Sequence, residues 1–119
     1  MSKKILVVDD SRLSRMMITA IIKNNYPDWE IYEAEDGDAA LKICESLDID
    51  IATLDMNMPG MDGLTLGAKL RELYPNARLS MLTANVQEAT RKKADAAGIG
   101  FIGKPVTEER VLSFLEQEG

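Results

Sequence analysis

Residues 50–63 read DIATLDMNMPGMDG, and this stretch decides the fold. A short, mostly apolar run covers residues 51–54 and ends in the carboxylate of Asp55. Asparagine, proline and glycine follow, which is typical of a loop, and Asp62 can cap a helix. The stretch therefore predicts a buried strand, a loop and a helix. Asp55 then lies at the carboxyl end of the strand, where open parallel sheets place their reactive groups.

The same alternation of strand and helix occurs five times along the chain. The predicted strands are Ile5–Val8, Ile31–Ala34, Ile49–Leu54, Leu79–Thr83 and Ile99–Ile102. Five such units predict one α/β domain over residues 1–119, a doubly wound five-stranded parallel sheet with five helices on both faces.

Apolar residues at helical spacing and capping residues predict the intervening helices. The first helix carries a stripe of Leu13, Met16, Met17, Ala20 and Ile21. The apolar stripe of the second helix extends to Leu47, and the third helix runs from about Gly63 to Leu73. The residues that can cap four of the helices are Asp10 or Ser11, Asp62, Asn85 and Thr107, and Asp36-Gly37-Asp38 opens the second helix.

The chain of 119 residues contains no histidine and one cysteine, Cys44. The absence of histidine excludes catalytic triads with a histidine base, histidine metal ligands, and phosphotransfer from a histidine of this chain. A metal site would have to be built from oxygen ligands, which favours Mg²⁺, Mn²⁺ or Ca²⁺. Cys44 cannot form an internal disulfide, and its apolar helical surroundings predict a small core residue.

The net charge of −6 argues against direct binding to nucleic acid or to an anionic membrane surface. No apolar run approaches the roughly 20 residues that a membrane-spanning helix needs. The residues after Met1 do not form a signal-type segment. We therefore predict a cytoplasmic protein, and we expect it to be a monomer.

The carboxyl ends of four of the five predicted strands carry polar residues: Asp9 and Asp10, Asp55, Thr83, and Lys104. In a parallel sheet these strand ends lie at one edge. Two carboxylates about 4 Å apart repel each other by on the order of 4 kcal/mol at an intermediate effective dielectric. Either one of them is protonated, or a cation such as Mg²⁺ lies between them. We infer that Asp55 is a nucleophile that accepts a phosphoryl group.

These residues carry a family resemblance that spans essentially the whole chain. Asp9-Asp10, Leu54-Asp55, the run MPGMDG at 58–63, Thr83-Ala84 and Lys104-Pro105, in this order, resemble the receiver domain of two-component response regulators. Within that family the chain is most similar to the stand-alone chemotaxis type. The resemblance implies the strand order 2-1-3-4-5 and a cis peptide bond between Lys104 and Pro105.

The resemblance also implies a role for each site residue. Asp55 would be the phosphoryl acceptor, and Asp10, Asp55 and the backbone carbonyl of Asn57 would bind Mg²⁺. Asp9 would act mainly through a water molecule on the metal. Lys104 would pair with Asp55 at rest and with a phosphoryl oxygen afterwards.

Two further positions are implied to act as a switch. Thr83 would donate its hydroxyl to the phosphoryl group. Phe101 stands where many receivers have a tyrosine whose ring changes orientation on activation, but an aromatic strand residue without that role is an equal alternative. The implied partners are a histidine kinase as phosphodonor and a downstream protein on the face of the fourth helix, fifth strand and fifth helix. The protein would be a switch and not a turnover enzyme.

Several alternatives stay open at this point. The chain could be a receiver cut from a longer response regulator, or a pseudo-receiver that is not phosphorylated. A flavodoxin-like FMN carrier would need a phosphate-binding loop after the first strand, where Asp9 and Asp10 would instead repel phosphate. A phosphatase with an aspartate nucleophile would need a cap domain that 119 residues leave no room for.

Overall fold

The computed structural model describes residues 3–84 and 87–116, and these form five strands and five helices. The strands are β1 (Lys4–Val8), β2 (Glu30–Ala34), β3 (Ile51–Asp55), β4 (Arg78–Thr83) and β5 (Ile99–Gly103). The helices are α1 (Arg12–Asn25), α2 (Gly37–Cys44), α3 (Gly63–Leu73), α4 (Glu88–Ala96) and α5 (Glu108–Leu115).

All strands are parallel, and their order in the sheet is β2-β1-β3-β4-β5, which confirms the predicted topology. The register aligns the carboxyl ends of neighbouring strands. Val8 pairs with Leu54, Asp55 pairs with Leu82, and Thr83 pairs with Gly103. The residues that follow these positions therefore meet at one edge of the sheet, as the sequence predicts.

Helices cover both faces of the sheet and enclose two apolar layers. The layer between the sheet and α2, α3 and α4 includes Cys44, Leu54, Leu66, Met81 and Ala94. The layer between the sheet and α1 and α5 includes Val7, Ile18, Ile22, Ile51 and Val111. Each fully buried large apolar side chain stabilises the fold by about 1.5–3 kcal/mol relative to an exposed one. Across the described ranges, no helix combines the length and the apolar composition that crossing a membrane requires.

Three of the predicted helix caps are confirmed, and Asp36, at the predicted start of the second helix, caps α2. The side chains of Ser11, Asp36, Asp62 and Thr107 each accept a hydrogen bond from the backbone N–H three residues later. Such a cap stabilises a helix by about 1 kcal/mol. The cap predicted at Asn85 lies outside the described residues.

The apolar stripe predicted for α1 does not form the buried face of that helix. Leu13, Met16 and Met17 are exposed by 67%, 55% and 42%, and the buried residues of α1 are instead Ile18, Thr19 and Ile22. The helix carries two apolar stripes, and contact with α5 and the sheet determines which of them packs. Helix α2 also ends earlier than predicted, at Cys44, so Leu47 lies beyond it.

Two arginines bind backbone carbonyls at the edge of the sheet opposite the polar strand ends. Arg78 of β4 donates hydrogen bonds to the carbonyls of Phe114 and Leu115 at the end of α5, and its guanidinium lies 4.9 Å from the Phe114 ring centroid. Arg71 of α3 donates to backbone carbonyls of two turns. Its acceptors are Tyr74, Pro75, Ala77, Ala97 and Gly98.

Gly63, the first residue of α3, packs directly against the backbone that carries Asp55. A Cβ atom at this position would lie 2.5 Å from the Asp55 carbonyl oxygen and 3.0 Å from the Met56 Cα. The Gly63 N–H donates to the Met56 carbonyl at 3.1 Å. Only glycine allows this close approach, which fixes the end of β3 against the start of α3.

We therefore expect Gly63→Ala to lower the free energy of unfolding by about 1–3 kcal/mol, because the new methyl group must displace backbone atoms. Urea titration followed by circular dichroism measures the change. The control is Gly100→Ala, whose Cβ would meet its nearest atom at an ordinary 3.7 Å. Equal stability of the two variants would contradict the packing argument.

Candidate functional site

Three carboxylates meet at the carboxyl edge of the sheet, and we call them the acidic notch: Asp9, Asp10 and Asp55. One oxygen of each lies within 4.8 Å of the others. Asp9 directly follows β1, and Asp55 ends the neighbouring strand β3. Asp9 and Asp55 are 1% and 2% exposed, whereas Asp10 is exposed. The fold thus brings together two desolvated carboxylates and one that faces water.

Asp9 has a buried oxygen atom that nothing in the described residues satisfies. Its Oδ1 accepts a hydrogen bond from the Ser11 N–H at 2.8 Å, but its buried Oδ2 has no partner there. Burial raises the pKa of Asp9 from 3.8 to about 6, and the charge of Asp55 adds to this effect. A buried carboxylate in this state binds a proton or a cation more readily than an ordinary aspartate does.

The donor set of the acidic notch fits a hard divalent cation. It consists of carboxylate oxygens, and such cations prefer oxygen ligands. The unpartnered Oδ2 of Asp9 and the mutual repulsion of three carboxylates would both be relieved by a bound positive charge. The exposed residue Asn57 lies next to the notch, and its N–H is 3.4 Å from Asp55 Oδ1.

Lys104 reaches Asp55 from the far side of the notch. Its Nζ lies 3.0 Å from Asp55 Oδ1, and the side chains of the two residues are 31% and 3% exposed. The Lys104 N–H donates to the Thr83 carbonyl at 3.0 Å, which extends the pairing of β4 and β5 by one residue. The Lys104–Pro105 bond is cis, as predicted. The predicted resting contact between Lys104 and Asp55 is therefore present.

Thr83 and Phe101 lie on the two strands beside this ion pair. Thr83 ends β4, is 5% exposed and pairs with Gly103 of β5. Phe101 is partly buried against the core layer under α4. The guanidinium of Arg91 in α4 lies 5.4 Å from the Phe101 ring centroid, within the range of a cation–π contact. Phe101 thus contacts α4, whereas Thr83 lies at the end of β4, the strand next to Asp55.

One residue next to the notch is absent from the sequence-based predictions. Arg15 of α1 donates from Nη1 to the Asp9 carbonyl oxygen at 2.6 Å and from Nε to the Glu33 carboxylate at 3.3 Å. An arginine on a helix surface carries no local signal of such a contact, because the acceptors lie six and eighteen residues away. Only the packing of α1 beside β1 and β2 reveals it.

The raised pKa of Asp9 predicts a pH-dependent stability in metal-free solution. Below about pH 4 the carboxyl is protonated in both states, whereas above about pH 6 folding must hold it charged and buried. This cost makes the contribution of Asp9 to stability fall as pH rises from about 4 to about 6. Asp9→Asn keeps the acceptor for Ser11 and should therefore raise the melting temperature in EDTA near pH 8, with little effect near pH 4.

Thermal unfolding from pH 4 to pH 8 measures the difference, and Asp28→Asn, a change at an exposed aspartate, is the control. A gain for Asp9→Asn that stays constant over this range would contradict the assignment, as would a loss of stability near pH 8.

Known proteins with similar sequences and structures support one family. The chain is 40% identical over 116 residues to the chemotaxis protein CheY of Listeria monocytogenes, a match that covers 96% of each chain. Its structure resembles that of the chemotaxis protein CheY4 of Vibrio cholerae, with a TM-score of 0.89, 28% identity and 98% of each chain covered.

A further solved structure is a response regulator protein from Burkholderia pseudomallei with a phosphorylated aspartic acid, calcium ion and citrate. It matches with a TM-score of 0.84 and 28% identity over 96% of this chain and 66% of that one. The family model for the response regulator receiver domain matches residues 5–116. The chain therefore belongs to the response regulator receiver family and is a phosphorylation-activated receiver of a two-component system.

Proposed function

We propose that Asp55 is the phosphoryl acceptor of this receiver and that a histidine kinase is the donor in a Mg²⁺-dependent reaction. The observation that carries the proposal is the placement of Asp55. It is a nearly buried carboxylate that lies between the ammonium group of Lys104 and two further carboxylates. Within the described residues, the Asn57 N–H and Lys104 Nζ both donate to its Oδ1, and Oδ2 would act as the nucleophile.

In the proposed transfer, Asp55 Oδ2 attacks the phosphorus atom of a phosphohistidine on the kinase. The new O–P bond forms as the P–N bond breaks, and the electron pair stays on the imidazole nitrogen. The phosphohistidine would lie outside residues 1–119, because these contain no histidine. Lys104, already 3.0 Å from Asp55, would neutralise charge on the transferred group. Hydrolysis would later return the carboxylate and release inorganic phosphate, so the domain is a switch and not a turnover enzyme.

The acidic notch would hold the metal ion of this reaction. Asp10, Asp55 and the backbone carbonyl of Asn57 are the proposed ligands, with Asp9 in a supporting position next to them. When bound, Mg²⁺ would offset the charge of the phosphoryl oxygens and of the three carboxylates. The unpartnered Oδ2 of Asp9 supports this assignment.

We propose that Thr83 and Phe101 carry the signal from the notch to the face formed by α4, β5 and α5. The Thr83 hydroxyl would bind the new phosphoryl group and move toward it. The Phe101 ring, which contacts the Arg91 guanidinium, would change its position in response to the movement of Thr83. A groove of about 720 Å³ between β5 and α5, lined in part by Phe101 and Arg110, lies on this face. Because phenylalanine lacks a hydroxyl, a downstream partner would recognise the position of the ring and not a hydrogen bond from it.

A stand-alone chemotaxis-type regulator is the proposed cellular role. Its support is the match with the Listeria protein, which covers 96% of both chains. A receiver that belongs to a longer response regulator is the alternative. We also propose that the protein acts in the cytoplasm as a monomer and binds neither nucleic acid nor a membrane, in keeping with its net charge of −6.

The first test is phosphorylation by a small donor. Incubation with acetyl phosphate and Mg²⁺ should add the mass of one phosphoryl group to the wild-type protein, with acetate as the leaving group. Asp55→Asn should show no such addition, because an amide is not a nucleophile of this kind. Intact-protein mass spectrometry measures both, and Asp28→Asn should behave like wild type. Equal phosphorylation of Asp55→Asn would refute Asp55, and none in wild type would favour a pseudo-receiver.

The second test is stabilisation by the metal. Millimolar Mg²⁺ should raise the melting temperature, since a ligand at 100 times its dissociation constant stabilises a protein by about 2.7 kcal/mol. Asp10→Ala should raise the melting temperature of the metal-free protein by removing repulsion and should largely abolish the Mg²⁺ effect. Differential scanning calorimetry with and without EDTA measures both. A Mg²⁺ effect of the same size in Asp10→Ala would argue against a metal site in the notch.

A further inference from the structure

The loop between β1 and α1 carries two of the three notch carboxylates, and its backbone is held at several points. The Asp9 N–H donates to the Ala34 carbonyl at 3.1 Å, which fixes the loop to β2. The Asp9 carbonyl accepts from Arg15 Nη1 at 2.6 Å. The Ser11 N–H donates to Asp9 Oδ1 at 2.8 Å. Together these bonds orient the peptide groups on both sides of Asp10.

Asp10 depends on this backbone more than the other two carboxylates do. Asp55 is buried and paired with Lys104, and the Asp9 side chain is buried and bonded to the Ser11 N–H. Asp10 is exposed, and within the described residues its side chain makes no hydrogen bond or ion pair. The direction of its carboxylate therefore follows from the two flanking peptide groups.

Arg15 is the side chain that fixes the first of these peptide groups. Its side chain is 15% exposed, and separate nitrogen atoms bind the Asp9 carbonyl and the Glu33 carboxylate. A planar guanidinium with several donors can hold two acceptors at once, whereas a lysine ammonium offers a single nitrogen. Glu33 lies on β2 and pairs with Val7 of β1, two residues before Asp9. The contact between Arg15 and Glu33 therefore connects α1 to the sheet near the notch.

We propose that Arg15 is a positioning residue of the cation site: it holds the Asp9–Asp10 peptide group so that Asp10 faces Asp9 and Asp55. This inference rests on the proposed Mg²⁺ site, and it assigns that site a residue that does not itself touch the ion. Residues that orient metal ligands from outside commonly change metal affinity by about 10-fold or more.

The direction of the effect distinguishes positioning from simple electrostatics. If Arg15 acted only as a positive charge near the notch, it would repel a cation, and its removal would strengthen Mg²⁺ binding. If it positions Asp10, its removal weakens binding although the net charge becomes more negative. If it only stabilised the fold, its removal would lower the melting temperature of the metal-free protein and leave the Mg²⁺ affinity of the folded protein unchanged.

The experiment measures the Mg²⁺ dissociation constant of the unphosphorylated protein by isothermal titration calorimetry, well below the melting temperature. The variants are Arg15→Met, Arg15→Lys and Glu33→Gln. Arg12→Met is the charge-matched control, because Arg12 is an exposed arginine of the same helix without a hydrogen bond or ion pair in the described part of the chain. A second readout is the Mg²⁺ concentration that gives half the maximal rate of phosphorylation by acetyl phosphate.

We expect Arg15→Met to raise the dissociation constant by about 10-fold, Arg15→Lys to raise it less, and Arg12→Met to leave it unchanged or slightly lower. Glu33→Gln should cause a change of a few-fold at most, because the ion pair is partly exposed. Saturating Mg²⁺ should restore the maximal rate of Arg15→Met. An unchanged or lower dissociation constant in folded Arg15→Met would overturn the inference while leaving the proposed function intact. Absence of Mg²⁺ binding by the wild type would overturn both.

Discussion

The mutual repulsion of the acidic notch is the constraint on which the site depends. Two unit charges about 4 Å apart repel by on the order of 4 kcal/mol at an intermediate effective dielectric, a sizeable share of the 5–15 kcal/mol that stabilises a typical domain. The carboxylates could lower this energy by moving apart, but two of them are attached to the buried central strands β1 and β3. The fold therefore holds them in place, and the repulsion is relieved by Lys104, by a proton on Asp9, or by a cation.

The surrounding contacts explain why the notch does not relax. Gly63 lets α3 approach the end of β3, and the Met56 N–H, directly after Asp55, donates to the Leu82 carbonyl of β4. On the other side, Arg15 and the N–H of Ser11 hold the loop after β1. Hydrogen bonds thus hold both backbone segments that carry the carboxylates, the end of β3 and the loop after β1. A site built in this way keeps its repulsion until a proton or a cation enters.

The sequence predicts the strands, the helices and the members of the notch because these depend on local signals, whereas the strand order is implied by the family resemblance. Apolar runs, turn residues and capping residues mark strands and helix starts, and a polar residue after each buried strand marks one edge of the sheet. The sequence-based prediction of the buried face of α1 is wrong, because Leu13 and Ile18 are equally apolar. Only contact with α5 and the sheet determines which of the two is buried. The sequence-based prediction also misses Arg15 and Arg71, whose acceptors are backbone carbonyls brought near by tertiary packing.

The two ends of α4 differ in the number of side-chain hydrogen bonds that hold them. At its carboxyl end, Arg71 binds the carbonyls of Ala97 and Gly98 and connects them to the turn after α3. At its amino end, the Gln87 side chain makes no capping hydrogen bond, and the one buried residue of the helix, Ala94, lies near the carboxyl end. The better-anchored end is far from the notch, whereas the end without a side-chain cap follows Thr83 by a few residues. If Thr83 acts as proposed, its displacement would reach α4 at the end without a side-chain cap, and the contact between Arg91 and Phe101 would connect α4 to β5.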